Sequence, residues 1–203
     1  MFLSSLLAAG VIGLANALPL TDSISSLESR QASCPGTGLK SFMPILRTIN
    51  DNTTDPQFFH VQNNSFTTLT IDQVMTFTEL PLTATNYYLQ WAQSTSPQDF
   101  KTVGGGTVAV YTLDTAKLPA EGVLTPEVVE AAIDVTVGPH GTGRIGSAAF
   151  GGWPDSPGAR EHLVGDVNAT ATGNLSFRLT LQEPDEVTLR QDSSNGWFLK
   201  YDC

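Results

Sequence analysis

The groups with which this 203-residue chain could do chemistry are few: three histidines, two cysteines, 20 acidic side chains and four N-x-S/T triplets. His60, His140 and His162 stand far apart, and none lies in an H-E-x-x-H or H-x-H pattern that would set two imidazoles on one metal ion. Unless folding gathers them, they hold no zinc. Ser147 is followed by Ala148-Ala149, so the G-x-S-x-G elbow that exposes a hydrolase serine is missing. Gly141 to Gly146 spells G-x-G-x-x-G, but a dinucleotide needs a helix directly after that loop to receive its pyrophosphate. The next residues, Ser147 to Pro154, do not sustain a helix, and a glycine-rich hairpin is expected instead. Asn50 to Asp55 offers oxygen ligands for calcium yet lacks the glycine and closing glutamate of an EF loop. No cofactor, metal ligand or catalytic residue is therefore expected. The alternative is a secreted polysaccharide hydrolase using paired carboxylates, for which nothing in the sequence selects a pair from the 20 acidic residues.

The four triplets are more informative. Asn52-Thr53-Thr54, Asn63-Asn64-Ser65, Asn168-Ala169-Thr170 and Asn174-Leu175-Ser176 are all acceptors for N-glycosylation, which requires an exported chain and an exposed backbone. Asn52, Asn63 and Asn168 are expected in loops, whereas Asn174 opens an expected strand. Two aromatic side chains are candidates for stacking on the face of a sugar. Trp153 sits in a Gly/Pro loop, and Tyr88 falls on the opposite strand face from Tyr87, Leu89 and Trp91. For Trp153 the weightier expectation is the competing one, in which the indole folds back and plugs the end of the fold, because it carries a large apolar area.

A compartment for this chemistry is written at the start of the chain. Phe2 to Leu14 is an apolar run followed by Ala15-Asn16-Ala17, the pattern of a secretory signal peptide over residues 1–17. The run is shorter than the roughly 18 to 20 residues that span a bilayer, so no membrane insertion is expected. Residues 18–33 are polar and form either a disordered arm or a short pro-segment trimmed after Arg30. In an oxidising compartment Cys34 and Cys203 read as one disulfide joining the ends of what remains. Removing residues 1–30 takes away Asp22, Glu28 and Arg30, which moves the formal net charge from -10 to -9. With so acidic a balance and no basic cluster, nucleic acid is excluded as a partner.

Residues 34–203 must then position these groups, and their length suits a single domain burying roughly 70% of its unfolded surface. Their dominant pattern is apolar/polar alternation with period two, clearest in Leu175 to Leu181 and repeated in Val187 to Arg190. Further strands are predicted at Leu69–Ile71, Val74–Leu80, Tyr87–Ala92, Thr107–Leu113, Ile133–Val137, Arg144–Phe150, His162–Val167 and Trp197–Tyr201. Glycine, proline and asparagine punctuate the gaps, as at Gly104-Gly105-Gly106 and Asn195-Gly196. About ten short strands with almost no helical periodicity predict an all-β antiparallel sandwich. One short helix is predicted near 125–132, where Thr125 caps and Pro126 occupies the first helical position.

Four segments carry a family likeness: Val74 to Pro81 (VMTFTELP), Tyr87 to Ala92 (YYLQWA), Gly104 to Leu113 (GGGTVAVYTL) and Gly196 to Cys203 (GWFLKYDC). Their order resembles the fungal secreted proteins grouped under the ubiquitin-3-binding protein C-terminal domain, over nearly all of residues 34–203. The resemblance implies a β-sandwich in an extracellular or cell-surface setting and supplies no reaction. A cytosolic ubiquitin-like partner is set aside, since an exported chain would not meet one. The expectation is a secreted, N-glycosylated, non-catalytic protein of the cell wall or extracellular matrix, with an extracellular glycan as its partner.

Overall fold

Alternating side chains can bury one face only if strands pair beside them. The computed structural model describes residues 36–203, apart from 53, 56, 96–99, 154–157 and 169–171. The leader, the arm and Cys34 lie outside the described residues. The first seven strands are β1 (Leu39–Phe42), β2 (Ile45–Thr48), β3 (Phe58–Asn64), β4 (Leu69–Ile71), β5 (Gln73–Phe77), β6 (Asn86–Gln93) and β7 (Lys101–Val103). After them come β8 (Thr107–Leu113), β9 (Arg144–Ala149), β10 (Arg160–Val167), β11 (Leu175–Leu181), β12 (Glu186–Arg190) and β13 (Gly196–Asp202). They form three antiparallel sheets, ordered β1-β13-β6-β10, β2-β5-β11-β8-β9 and β4-β3-β12-β7.

The sheets close on one apolar core, as an all-β sandwich requires. Leu89, Trp91, Trp197 and Leu199 enter it from the first sheet, Met75, Val110, Phe177 and Leu179 from the second, and Phe59, Val61, Val187 and Leu189 from the third. Each set comes from alternate positions of its strands, so the period-two pattern is the cause of the layering. A smaller apolar cluster lies on the other face of the five-stranded sheet. There the helix α1 (Pro126–Ala132) buries Val129 and Ala132 against Val74 and Leu113. Thr125 caps it by accepting from the Val128 N–H, and Pro126 starts it, as predicted. The Glu127 carboxyl is held below its ordinary range by its own backbone N–H and then by the Thr125 hydroxyl. Arg178 of β11 ties helix to sheet, with Nη1 donating to Glu130 at 2.8 Å and Nε and Nη2 donating to Asp72 Oδ2 at 3.2 and 2.8 Å.

Three expectations need correction. Ile133–Val137 is not a strand: the Asp134 carboxylate accepts from the Thr136 N–H and hydroxyl, which bends the backbone into a turn, and Val135 is left 62% exposed. Asn63 is not in a loop but in β3, paired in register with Thr70. Four strands, β1, β2, β3 and β7, went beyond the predicted set. Gly141 to Gly146 runs from a 3₁₀ turn directly into β9, with no helix after it. Gly146 has its own reason to be glycine. A Cβ there would stand 1.9 Å from the Val164 carbonyl oxygen, and one on Gly165 would stand 2.5 Å from that of Ile145. These two glycines let β9 and β10 approach where the five-stranded and four-stranded sheets meet.

Candidate functional site

The outward face of the sheet β1-β13-β6-β10 is built by parity and register. Tyr87, Leu89 and Trp91 point into the core, so Asn86, Tyr88 and Gln90 of β6 point out. Antiparallel pairing places Lys200 of β13 beside Tyr88 on one side and Asp166 of β10 on the other. Gln90 is likewise flanked by Phe198 and Leu163. Between Leu163 and Gly165 the register slips, and this bulge sends Val164 into the core while Leu163, 61% exposed, stays outside.

At one end this face is covered by its own aromatics. Phe42 stacks on Phe198 at 4.8 Å between ring centroids, Lys40 Nζ sits 5.2 Å from the Phe198 ring, and Lys40 is ion-paired with Glu161. Phe198 is thereby fully buried although it points away from the core. The other end is open. Tyr88, Gln90, Lys200, Asp202, Leu163 and Thr37 line a shallow groove of about 390 Å³. Asp202 Oδ1 accepts from the Gly38 N–H at 2.8 Å, which fixes the groove's edge to the start of the described chain. A half-exposed phenol ring among an amide, an ammonium and a carboxylate offers one flat apolar face with hydrogen-bonding groups around it. That is the arrangement a pyranose ring asks of a protein: a surface for its C–H groups and polar partners for its hydroxyls.

Trp153 is not part of any such surface. It is 4% exposed, with its ring centroid 4.2 Å from Phe100 and 5.2 Å from Trp91, so the weightier expectation holds, in which the indole is core, and the alternative of a sugar-stacking ring is corrected. The three histidines are held by separate surroundings. His60 Nε2 lies 3.6 Å from a Glu186 oxygen, and His140 occupies a 3₁₀ turn with φ 57°. His162 stacks on Trp91 at 4.0 Å and 11°, where burial, and after it the charge of Arg160, lowers the imidazole pKa from its ordinary value. No cluster of three His, Cys, Asp or Glu that could hold a metal occurs among the described residues.

A deeper pocket of about 410 Å³ opens at the end of the sandwich, between the end of β8, the turn at 133–137 and the start of β11. Asp114 and Asp134 both line it, but each is committed to its own backbone. Asp114 Oδ1 accepts from the Ala116 N–H and Oδ2 lies 3.7 Å from Lys117 Nζ, while Asp134 Oδ1 holds the Thr136 turn. Asn168 and Asn174 line the same pocket, the first exposed just after β10 and the second half-buried just before β11. Asn52 is exposed in the turn after β2.

No protein-family model and no curated protein matches this chain. Of the groove's residues, only Tyr88 was identifiable beforehand. Its parity is local, whereas Lys200, Asp202 and Leu163 reach it through strand order and register.

Proposed function

We propose that the chain is a secreted, N-glycosylated protein without a catalytic centre that binds an extracellular glycan, in the cell wall or matrix, on the open face around Tyr88. The observation that carries this reading is the groove itself, in which a half-exposed aromatic ring is ringed by Gln90, Lys200 and Asp202 on a rigid paired sheet. The leader pattern and the four N-x-S/T triplets support export, and the resemblance to the fungal secreted family belongs to the same proposal. A Cys34–Cys203 disulfide is part of it as well. The Cys203 N–H donates to the Gly36 carbonyl at 3.1 Å, which holds the last residue beside the chain two positions after Cys34. No free cysteine occurs among the described residues.

A glycan array probed with the secreted protein and with Tyr88→Ala tests the reading. Binding by the parent and about a tenfold loss on substitution, equivalent to about 1.4 kcal/mol, is expected. The melting temperature should hardly move, because surface substitutions generally stay within about 0.5 kcal/mol. Failure of the parent to bind any glycan, or equal binding by both proteins, would overturn it.

A further inference from the structure

The chain carries 20 acidic residues against 10 lysines and arginines, so most of its cations find a carboxylate close by. Of the four lysines, Lys40, Lys101 and Lys117 pair with Glu161, Glu186 and Asp114. Lys200 pairs with no acidic side chain among the described residues. It is also the lysine that lines the groove around Tyr88.

Register sets Lys40 directly opposite Lys200 across β1 and β13, and Lys200 beside Tyr88 across β13 and β6. Like charges facing each other in a sheet are unfavourable unless something neutralises them. For Lys40 the neutralising group is Glu161, which it meets from the opposite edge strand of the sheet, over the Phe198 ring. That ion pair closes its end of the face and uses the Lys40 charge within the protein. The Lys200 charge is left for the groove. Its stem runs past the start of β1, where a Cβ on Gly38 would stand 3.6 Å from Lys200 Cε, so the ammonium is carried to the groove's rim. Asp202 lies on the same face two residues further on, but its Oδ1 is engaged by the Gly38 N–H at 2.8 Å and it forms no ion pair with Lys200.

We infer that the glycan held on Tyr88 carries a carboxylate, as a uronic acid does, and that this carboxylate pairs with Lys200 while sugar hydroxyls meet Gln90 and Asp202. The phenol ring supplies the apolar contact, and Lys200 supplies a charge that a neutral hexose leaves unanswered. A monoanion suits the groove better than a phosphate, whose second charge would face Asp202. One acidic sugar also suits it better than a polyuronate, which the formal net charge of -10 repels as a whole.

The inference deepens the glycan-binding reading and rests on it, and the experiment separates the two. Parent, Lys200→Gln and Lys200→Arg are titrated calorimetrically with three oligosaccharides that differ only in ending in glucose, glucuronic acid or glucose 6-sulfate. The parent should bind the glucuronic acid form roughly fivefold more tightly than the glucose form, the upper range for a partly exposed ion pair. Lys200→Gln should bind both forms with the parent's affinity for the glucose form, Lys200→Arg should keep the preference, and about 1 M salt should erode it. All three proteins should melt at nearly the same temperature, since the substitutions are on the surface. Equal or tighter binding of the glucose form by the parent, a preference that survives in Lys200→Gln, or tighter binding of the sulfate ester would overturn the inference and leave glycan binding intact. A parent that binds none of the three but binds another glycan on the array would do the same. A parent that binds nothing on the array would overturn the inference together with the reading it rests on.

Discussion

Replacing Trp153 by alanine asks whether its loop plugs the core or serves a ligand. The indole is 4% exposed and surrounded by Phe100, Trp91 and Phe150, with ring centroids 4.2, 5.2 and 6.5 Å away. Truncation removes its transfer free energy and leaves a cavity that three other rings cannot fill without leaving their own packing. The cost expected for a buried tryptophan is on the order of 3–5 kcal/mol. In a domain of this size each kcal/mol lowers the melting temperature by roughly 2–4 °C, so a fall of about 6–20 °C is expected. Circular dichroism melts of parent, Trp153→Ala and Trp153→Phe measure it, with Tyr88→Ala as a surface control. Phenylalanine keeps a ring against Phe100 and should recover part of the loss. A Trp153→Ala melt within about 2 °C of the parent would mean that the indole is not part of the core, and the assignment of the sandwich end would be wrong.

Gly146→Ala places a methyl group against the Val164 carbonyl oxygen at 1.9 Å, which only a backbone shift of β9 or β10 can relieve; a loss of about 1–3 kcal/mol by chemical denaturation is expected, and a neutral result would show that the two strands do not approach so closely. His162 contributes to pH dependence with a definite sign. Its folded pKa is lowered from 6.5 by burial and then by Arg160, so below pH 6.5 the unfolded chain binds more protons. Stability should fall on acidification from about 6.5 toward the lowered folded value and level off below it. Melts of His162→Gln against the parent across that window should show a shallower slope, and parallel curves would contradict the assignment. For the proposed Cys34–Cys203 bond, non-reducing peptide mapping should recover the linked pair, and reduction should lower stability by up to about 5 kcal/mol in the chain-entropy limit. Two free thiols in native protein would remove it from the proposal.

What could be read from the amino-acid sequence was what depends on near neighbours. Alternation alone placed Thr107–Leu113 and Leu175–Leu181 to the residue, because each puts several large apolar side chains on one face. The helix was equally local, since Thr125 and Pro126 define its start without reference to the rest of the fold. The same logic failed at Ile133–Val137, where an apolar alternation was overruled by one carboxylate, Asp134, bonding two residues ahead. β1 and β7 are short edge strands whose residues are mostly exposed or half-buried, so they present too little contrast to register as periodic. Phe59 and Val61 of β3 do alternate with His60 and Gln62, so there the period-two signal is present in the sequence.

The candidate site shows where local reading stops. Period two decides that Tyr88 leaves the core when Tyr87 and Leu89 enter it, but it says nothing about which side chains will stand next to the ring. That depends on β13 pairing with β6 in the register Lys200 to Tyr88, and on a bulge in β10 that keeps Leu163 outside while Val164 turns in. Slip β13 by one residue and every one of its side chains changes face: Trp197 and Leu199 would leave the core and Lys200 would enter it. The apolar contacts of Trp197 and Leu199 therefore hold Lys200 and Asp202 at the groove, although neither core residue touches it. A binding face of this kind is a by-product of the core's register. Its polar residues can be exchanged to alter what binds, provided that the alternate positions behind them stay apolar.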